Sequence, residues 1–207
     1  MTKTTVQKKS NTSSAPKILL QDRELRNGHK GAIVWLTGLS AAGKSTIAQA
    51  LEQKLFDNNT QTYILDGDKI RKGLCSDLGF SPEDRAENIR RIGEVAKLFQ
   101  ETGAIIIVAF ISPYRADRDH VRKIVSAGRF IEVFVDCPLK KCEARDPKGL
   151  YAKARKGEIP EFTGISAPYE QPLHPEIHVK TDTQNLEQCV EIILAYLKDQ
   201  KILTGQW

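Results

Sequence analysis

The stretch "AIVWLTGLSAAGKST", residues 32–46, limits what this chain can fold into more than any other. Its first six residues are apolar without alternation, the pattern of a strand buried on both faces. Gly38, Leu39, Ser40, Ala41, Ala42, Gly43, Lys44 and Ser45 follow, and together they match GxxxxGK[ST]. After Thr46 comes a helical spacing, with Ile47, Leu51 and Leu55 on one face. Strand, glycine-rich turn and helix in this order are the context in which the motif holds phosphate. Gly38 and Gly43 let the backbone bend so that its N–H groups surround phosphate oxygens. The helix N-terminus adds its dipole, Lys44 neutralises charge, and Ser45 can coordinate magnesium. The expected ligand is a nucleoside triphosphate.

Further apolar runs bounded by turn residues recur at 62–66, 105–110, 130–135 and, more weakly, 177–181. Helical spacings separate them: Ile89, Ile92, Val95 and Phe99, and later Leu186, Cys189 or Val190, Ile193 and Leu197. Ser81-Pro82 is a helix start, serine capping and proline tolerated at the first position, with Gly103 near the far end. Strands alternating with helices imply an α/β fold, a parallel sheet with helices on both faces. Residues 146–172, rich in Gly, Pro and Lys, resist the pattern. They are expected to bury little and to form a mobile lid on a single domain spanning 18–207.

The net charge of +5 suggests nucleic acid until it is located. Residues 1–17 carry four lysines and no acid, which leaves 27 basic against 26 acidic residues for the rest. The expectation is a disordered basic tail on a nearly neutral body, with no nucleic-acid partner. The tail lacks the apolar core of a signal peptide, and no run has the length of a membrane span. Cys75, Cys137, Cys142 and Cys189 form no CxxC pair and are expected to be ordinary thiols in the reducing cytoplasm. His174 and His178 have the spacing of zinc ligands on a helix, but Pro175 argues against that helix.

No Asn-Lys-x-Asp base-reading signature accompanies the phosphate loop, which argues against a switch GTPase. A kinase for a small molecule fits better. "LDGDKIRKGL" (65–74) offers Asp66 and Asp68 at a strand end, where open α/β sheets bind ligands. One acid could support Mg²⁺ through water while the other orients and deprotonates an acceptor hydroxyl. Arg71, Arg85 and Arg115 follow strand ends or their caps, and a planar guanidinium suits phosphate or sulfate oxygens. Phe80 offers a face for a base. In "IIIVAFISPYRADRD" (105–119) a buried strand delivers Ser112, Arg115 and Arg118 to one place, expected to hold an anionic acceptor.

These blocks together resemble the adenylyl-sulfate kinase family of sulfate assimilation. The resemblance covers about residues 30 to 200 and rests on "WLTGLSAAGKST", "LDGDKIRKGL", "LGFSPEDRAENIRRIGEVAKLF", "AFISPYRADRD", "FVDCPLKKCEARDPKGLYAKARKGEIPEFTGISAPYE" and "TDT". It implies a P-loop kinase fold with a parallel five-stranded sheet, usually a homodimer. It also implies transfer of the ATP γ-phosphoryl group to the 3′-hydroxyl of adenylyl sulfate, with Mg²⁺. By motif match, Arg71, Arg85, Asn88, Ile111 and Ser112 resemble substrate contacts, with Phe80 and Phe162 sandwiching the substrate adenine. Lys148, Gly149 and Leu150 resemble the opening of the lid, and Arg145 with the Thr181–Thr183 stretch resembles the ATP base region. Asp68 resembles the group near the acceptor hydroxyl, and Asp66 a metal support. Ser112 stands where the family is assigned a phosphoryl-carrying serine, yet an unactivated serine is a weak nucleophile, so direct transfer is favoured. Lys69 and Ala41 replace a frequent asparagine and glycine. With no room for a sulfurylase domain, the expectation is a monofunctional enzyme. The alternatives are another P-loop metabolite or nucleotide kinase, and a nucleotide-dependent binding protein that lost catalysis.

Overall fold

The computed structural model describes residues 18–204. The expected basic tail, 1–17, lies outside the described residues. In chain order the elements are α1 (Leu20–Asn27), β1 (Ala32–Thr37), α2 (Lys44–Asp57), β2 (Thr62–Asp66), α3 (Gly67–Ile70), α4 (Pro82–Gln100), β3 (Ile105–Ala109), α5 (Arg115–Ile124), β4 (Phe130–Asp136), α6 (Leu139–Arg145), α7 (Leu150–Arg155), β5 (Ile177–Lys180) and α8 (Leu186–Asp199).

The five strands form one sheet in the order β2-β3-β1-β4-β5, with every pair parallel. This is the architecture expected from the alternating runs. All six residues of β1 and all five of β3 are buried, which is why neither alternates in polarity. Their side chains go alternately to two cores. Val34, Leu36, Ile105 and Ile107 meet α2 and α8, while Ile33, Trp35, Ile106 and Val108 meet α4 and α5. Truncating one of these isoleucines to alanine is expected to cost about 2–5 kcal/mol.

Register levels the strand ends. Asp66 pairs with Ala109, Leu36 pairs with Ala109, and Thr37 pairs with Phe134. The loops after β1, β2, β3 and β4 therefore leave from one rim, where open α/β sheets bind ligands. On the second core, α4 begins as its sequence indicates: Ser81 Oγ accepts from the Asp84 N–H, and Pro82 occupies the first turn.

The 146–172 segment departs from expectation. It contributes Tyr151, Ala154 and Phe162 to the α2/α8 core, and Thr163 is 2% exposed. The expectation of little burial fails because α7, within a segment rich in Lys, Gly and Pro, turns Tyr151 and Ala154 inward. All four cysteines are buried and free, and burial pushes the Cys142 thiol up to about 12. No helix among the described residues is long and apolar enough to cross a membrane. His178 lies on β5, not on a helix with His174.

Candidate active site

The loop between β1 and α2 is shaped by its backbone. Gly38 and Gly43 have φ of 156° and 102°. A Cβ at Gly38 would come within 2.4 Å of the Val135 carbonyl oxygen, so only glycine lets the loop pass over β4. Lys44 opens α2 and folds back under the loop, where its ammonium donates to the carbonyls of Gly38 (2.8 Å) and Leu39 (2.7 Å). It is 8% exposed, and burial lowers its pKa to about 8. Tyr151 of α7 donates its hydroxyl to the Ser40 carbonyl at 3.0 Å, so the 146–172 segment buttresses the loop. Thr46 is exposed on the first turn of α2.

Beside the loop, Arg145 donates to Thr181 Oγ1 at 3.1 Å and to the Thr181 carbonyl at 2.5 Å. Thr181 in turn donates to the Ala42 carbonyl at 2.8 Å. Arg145 and Thr181 thus form one side of the phosphate loop. Thr183 is exposed, and its hydroxyl reaches only the Lys180 carbonyl at 3.5 Å.

On the other side, Ser45 Oγ donates to Asp66 Oδ2 at 2.8 Å. Asp66 also caps α3, its Oδ1 accepting from the Asp68 N–H at 3.0 Å. Gly67 opens α3, and this helical turn directly after β2 brings both carboxylates to this corner. Asp68 is exposed and forms an ion pair with Lys148, which precedes the left-handed Gly149 (φ 64°). Leu150 then begins α7. The Ser45–Asp66 pair offers hard oxygen donors to Mg²⁺ and leaves room for phosphate oxygens and waters, so these residues fit the ion.

Arg71 and Arg85 converge on the exposed Phe80. Arg71 lies 4.3 Å over its ring and donates to the Gly79 carbonyl at 2.9 Å. Arg85 spans two segments: Nε donates to the Phe80 carbonyl (2.8 Å), Nη1 to Thr163 Oγ1 (3.2 Å) and Nη2 to the Glu161 carbonyl (2.8 Å). Burial lowers the pKa of both arginines. Asn88, 3% exposed on α4, has an Oδ1 with no hydrogen-bond partner. Phe162 does not pair with Phe80 in this structure. It is 8% exposed with its ring edge against Tyr151, centroids 5.1 Å apart.

After β3, Ile111 is partly exposed and Ser112 is buried at φ 40°, a left-handed conformation. Trp35 Nε1 donates to Ser112 Oγ at 3.1 Å, and Thr37 Oγ1 donates to the Ile111 carbonyl at 2.7 Å.

The expectation that Arg115 and Arg118 capture an anion here is corrected. Arg118 is 2% exposed, and its Nε donates to Glu132 at 2.6 Å. Arg115 donates to the Gln171 carbonyl and lies 3.7 Å from the Glu170 carboxylate. Both guanidiniums are used within the fold because Glu132 and Glu170, from later segments, reach the same place. Arg90 and Arg91 likewise pair with Glu87, and Arg91 also with Asp77.

The sequence reading missed Trp35, Thr37, Tyr151 and Tyr169 as supports. The available signal was their polar tips, since a buried indole N–H or phenol seeks a partner. Tyr169 finds one in Thr37 at 3.0 Å, and burial pushes its pKa up to about 12. A cleft of about 610 Å³ runs alongside the loop, between Leu39, Leu139 and residues 164–169. It lies apart from Asp68, Arg71 and Phe80, which sit on an open surface.

Three comparisons bear on this arrangement. The family described as Adenylylsulphate kinase matches residues 30–180. An adenylyl-sulfate kinase of Oceanobacillus iheyensis is 59% identical over 182 residues, 88% of this chain and 92% of that protein. A solved Mycobacterium tuberculosis APS kinase, in complex with AMPPNP and APS, is 44% identical. It superposes with a TM-score of 0.78 over 82% of this chain and 99% of its own. A hexameric APS kinase from Thiobacillus denitrificans is 34% identical with a TM-score of 0.66, covering 86% of this chain and 30% of that one.

Proposed function

The chain belongs to the adenylylsulphate kinase family, and from that premise we propose how its own residues move the γ-phosphoryl group of ATP to the 3′-hydroxyl of adenylyl sulfate, giving 3′-phosphoadenylyl sulfate and ADP. The observation that carries the reading is the corner where the two halves touch. Ser45 of the phosphate loop is hydrogen-bonded to Asp66, and Asp66 holds the backbone of Asp68. A terminal phosphate cradled by residues 38–45 would then end beside a carboxylate able to serve an acceptor hydroxyl.

In this mechanism the loop N–H groups and Lys44 bind the phosphates. Asp68 orients the 3′-hydroxyl and takes its proton as the new O–P bond forms and the bond to the β-phosphate oxygen breaks. Ser45 and Asp66 would hold Mg²⁺, whose part is to neutralise charge on the phosphates. Arg145 and Thr181 would flank the ATP base, with Thr183 at the edge of that region. Arg71, Arg85, Asn88, Ile111, Lys148, Gly149 and Leu150 would surround the acceptor, with its adenine against Phe80. Phe162 could reach the second face of that adenine only if residues 146–172 move, as proposed for a lid. A homodimer in the cytoplasm completes the reading. The hexameric relative supports self-association, and four buried thiols suit a reducing compartment.

Ser112 is assigned as an acceptor contact. Its Oγ receives the Trp35 N–H, and among the described residues no carboxylate or imidazole is hydrogen-bonded to it. A serine without a base is a weak nucleophile. Ser112→Ala is expected to keep turnover within about tenfold, the scale of one or two neutral hydrogen bonds. A folded variant with turnover nearly abolished would instead assign a covalent step.

A coupled assay of ADP release tests the whole reading. Adenylyl sulfate is expected to support turnover with ATP, while AMP, gluconate and shikimate are not. Turnover with one of those three and none with adenylyl sulfate would sink it.

A further inference from the structure

Ser112 is held in a conformation that a residue with a side chain adopts only when its surroundings impose it. Trp35 and Thr37 hold it from β1, and Arg118, six residues along the chain in the first turn of α5, holds it from the other side. Nη1 of Arg118 donates to the Ser112 carbonyl at 2.6 Å, and Nη2 donates to the Glu170 carbonyl at 2.8 Å. Nε is fixed by Glu132 of β4 at 2.6 Å. Glu132 is itself held, its N–H donating to Glu176 Oε2 at 2.7 Å and its carboxylate accepting from Arg122 at 3.3 Å. Every edge of the guanidinium is therefore used.

Two of those edges tie together segments that the functional reading places around the acceptor. They end on backbone carbonyls of two different segments, the acceptor loop after β3 and the return of the 146–172 segment into the sheet. The same segments are joined again where the Glu170 N–H donates to the Pro113 carbonyl (2.8 Å) and the Arg115 N–H donates to the Glu170 carboxylate (2.8 Å). None of these bonds reaches Lys44, Arg145 or Thr181 on the donor side.

We propose that Arg118 is a positioning residue for the acceptor: it holds the Ser112 turn and the lid's return at Glu170 as one rigid unit. The proposal rests on the functional reading above and deepens it on the acceptor side. It follows that the ion pair of Arg118 with Glu132 serves to aim the guanidinium. Lysine keeps the charge but is a point donor that cannot hold three partners in one plane.

The test is steady-state kinetics on the full chain with Arg118→Lys and Glu132→Gln, varying adenylyl sulfate at saturating ATP and the reverse, alongside thermal melts. Arg118→Lys is expected to raise KM for adenylyl sulfate about tenfold and to leave KM for ATP within about twofold, the scale of one charged hydrogen bond lost on one side only. Glu132→Gln, which keeps an acceptor for Nε but loosens it, is expected to shift the same constant about threefold. A folded Arg118→Lys with unchanged acceptor KM overturns the proposal. So do two KM values that rise together with a lowered Tm, the signature of a structural role. If Arg118→Lys does not fold, the same split in Glu132→Gln decides. Wild-type protein that fails to use adenylyl sulfate would sink the functional reading itself, whereas wild-type turnover with even-handed variants sinks only this inference.

Discussion

The phosphate loop and the proposed acceptor surface are built from different materials. The loop is made of backbone, curved by two glycines and completed by one buried lysine on the next helix. All of it comes from one continuous stretch. The acceptor surface is made of side chains from α3, α4, the loop after β3 and the 146–172 segment. Its cations are engaged by the protein itself: Arg71 by Gly79, Arg85 by Phe80 and Glu161, and Lys148 by Asp68. On the proposed reading both halves exchange internal hydrogen bonds for ligand: the donor half gives up those of Lys44 with Gly38 and Leu39 inside one loop, the acceptor half bonds that tie several segments together. Such an exchange sets specificity, because a ligand lacking the right oxygens cannot repay the bonds it breaks.

If the halves are separate in this way, removing an acceptor-side group should leave ATP binding alone. The largest effect is expected for Asp68→Ala, which should lower kcat by about 10²–10⁴, the range for loss of a general base. ATP affinity by calorimetry should stay within about twofold. Full activity in this variant would take Asp68 out of the mechanism. A large loss of ATP affinity would show that the corner at Ser45 and Asp66 couples the halves more tightly than the hydrogen bonds suggest. Next in size is Arg85→Ala. Two of its three partners, the carbonyls of Phe80 and Glu161, belong to exposed residues where water can replace it, and the main loss is expected on the acceptor side. KM for adenylyl sulfate should rise about 10–100-fold, as for one or two charged hydrogen bonds. An unchanged KM would mean that Arg85 only ties Phe80 to Thr163.

The donor half has its own signature in pH. Lys44 has its pKa lowered by burial from 10.5 to about 8. Below pH 8 both folded and unfolded chains hold this proton, so the cost of burying the charge is fully present. As pH rises through 8 the folded state releases it while the unfolded chain keeps it, and Lys44's contribution to stability improves up to about 10.5. ATP reverses the preference, since its phosphates favour the charged amine. Affinity for ATP should therefore fall about tenfold between pH 7 and 9, with proton uptake on binding above pH 8. A flat affinity across that range would place the amine's pKa well above 9. The acceptor KM should follow a different profile.

The same contrast explains what could be read from the sequence. The donor half was legible because strand, glycines and Lys-Ser are contiguous, and backbone geometry is written in residue types such as Gly38 and Gly43. The sheet was legible because buried parallel strands such as 105–109 cannot alternate. The acceptor half was legible only through the whole set of motif blocks. Nothing local in "SPYRADRD" says whether Arg118 meets a substrate or Glu132, because Glu132 lies in another strand and its position depends on register. The burial of Phe162 and Tyr151 was not legible for the same reason. A helical turn among lysines and glycines shows its apolar face only against α2 and α8.

The smallest expected effect lies inside the donor half, at the one loop position that departs from its own logic. Ala41 adopts φ 58°. That conformation costs a residue with a Cβ about 1–2 kcal/mol. Glycine would remove this strain, but it would lose more conformational freedom on folding, about 0.5–1 kcal/mol. Ala41 also packs in part against the α2/α8 core, so its methyl group returns some of the strain. Ala41→Gly should therefore stabilise the chain by no more than about 1 kcal/mol, or about 2–4 °C in Tm for a domain of this size. ATP affinity should not move, because either residue keeps the backbone N–H at this position of the loop. A melt that falls instead of rising would mean that the methyl contact outweighs the backbone strain. The loop's rigidity would then depend on side-chain packing, and the contrast between a backbone-built donor half and a side-chain-built acceptor half would weaken at this point.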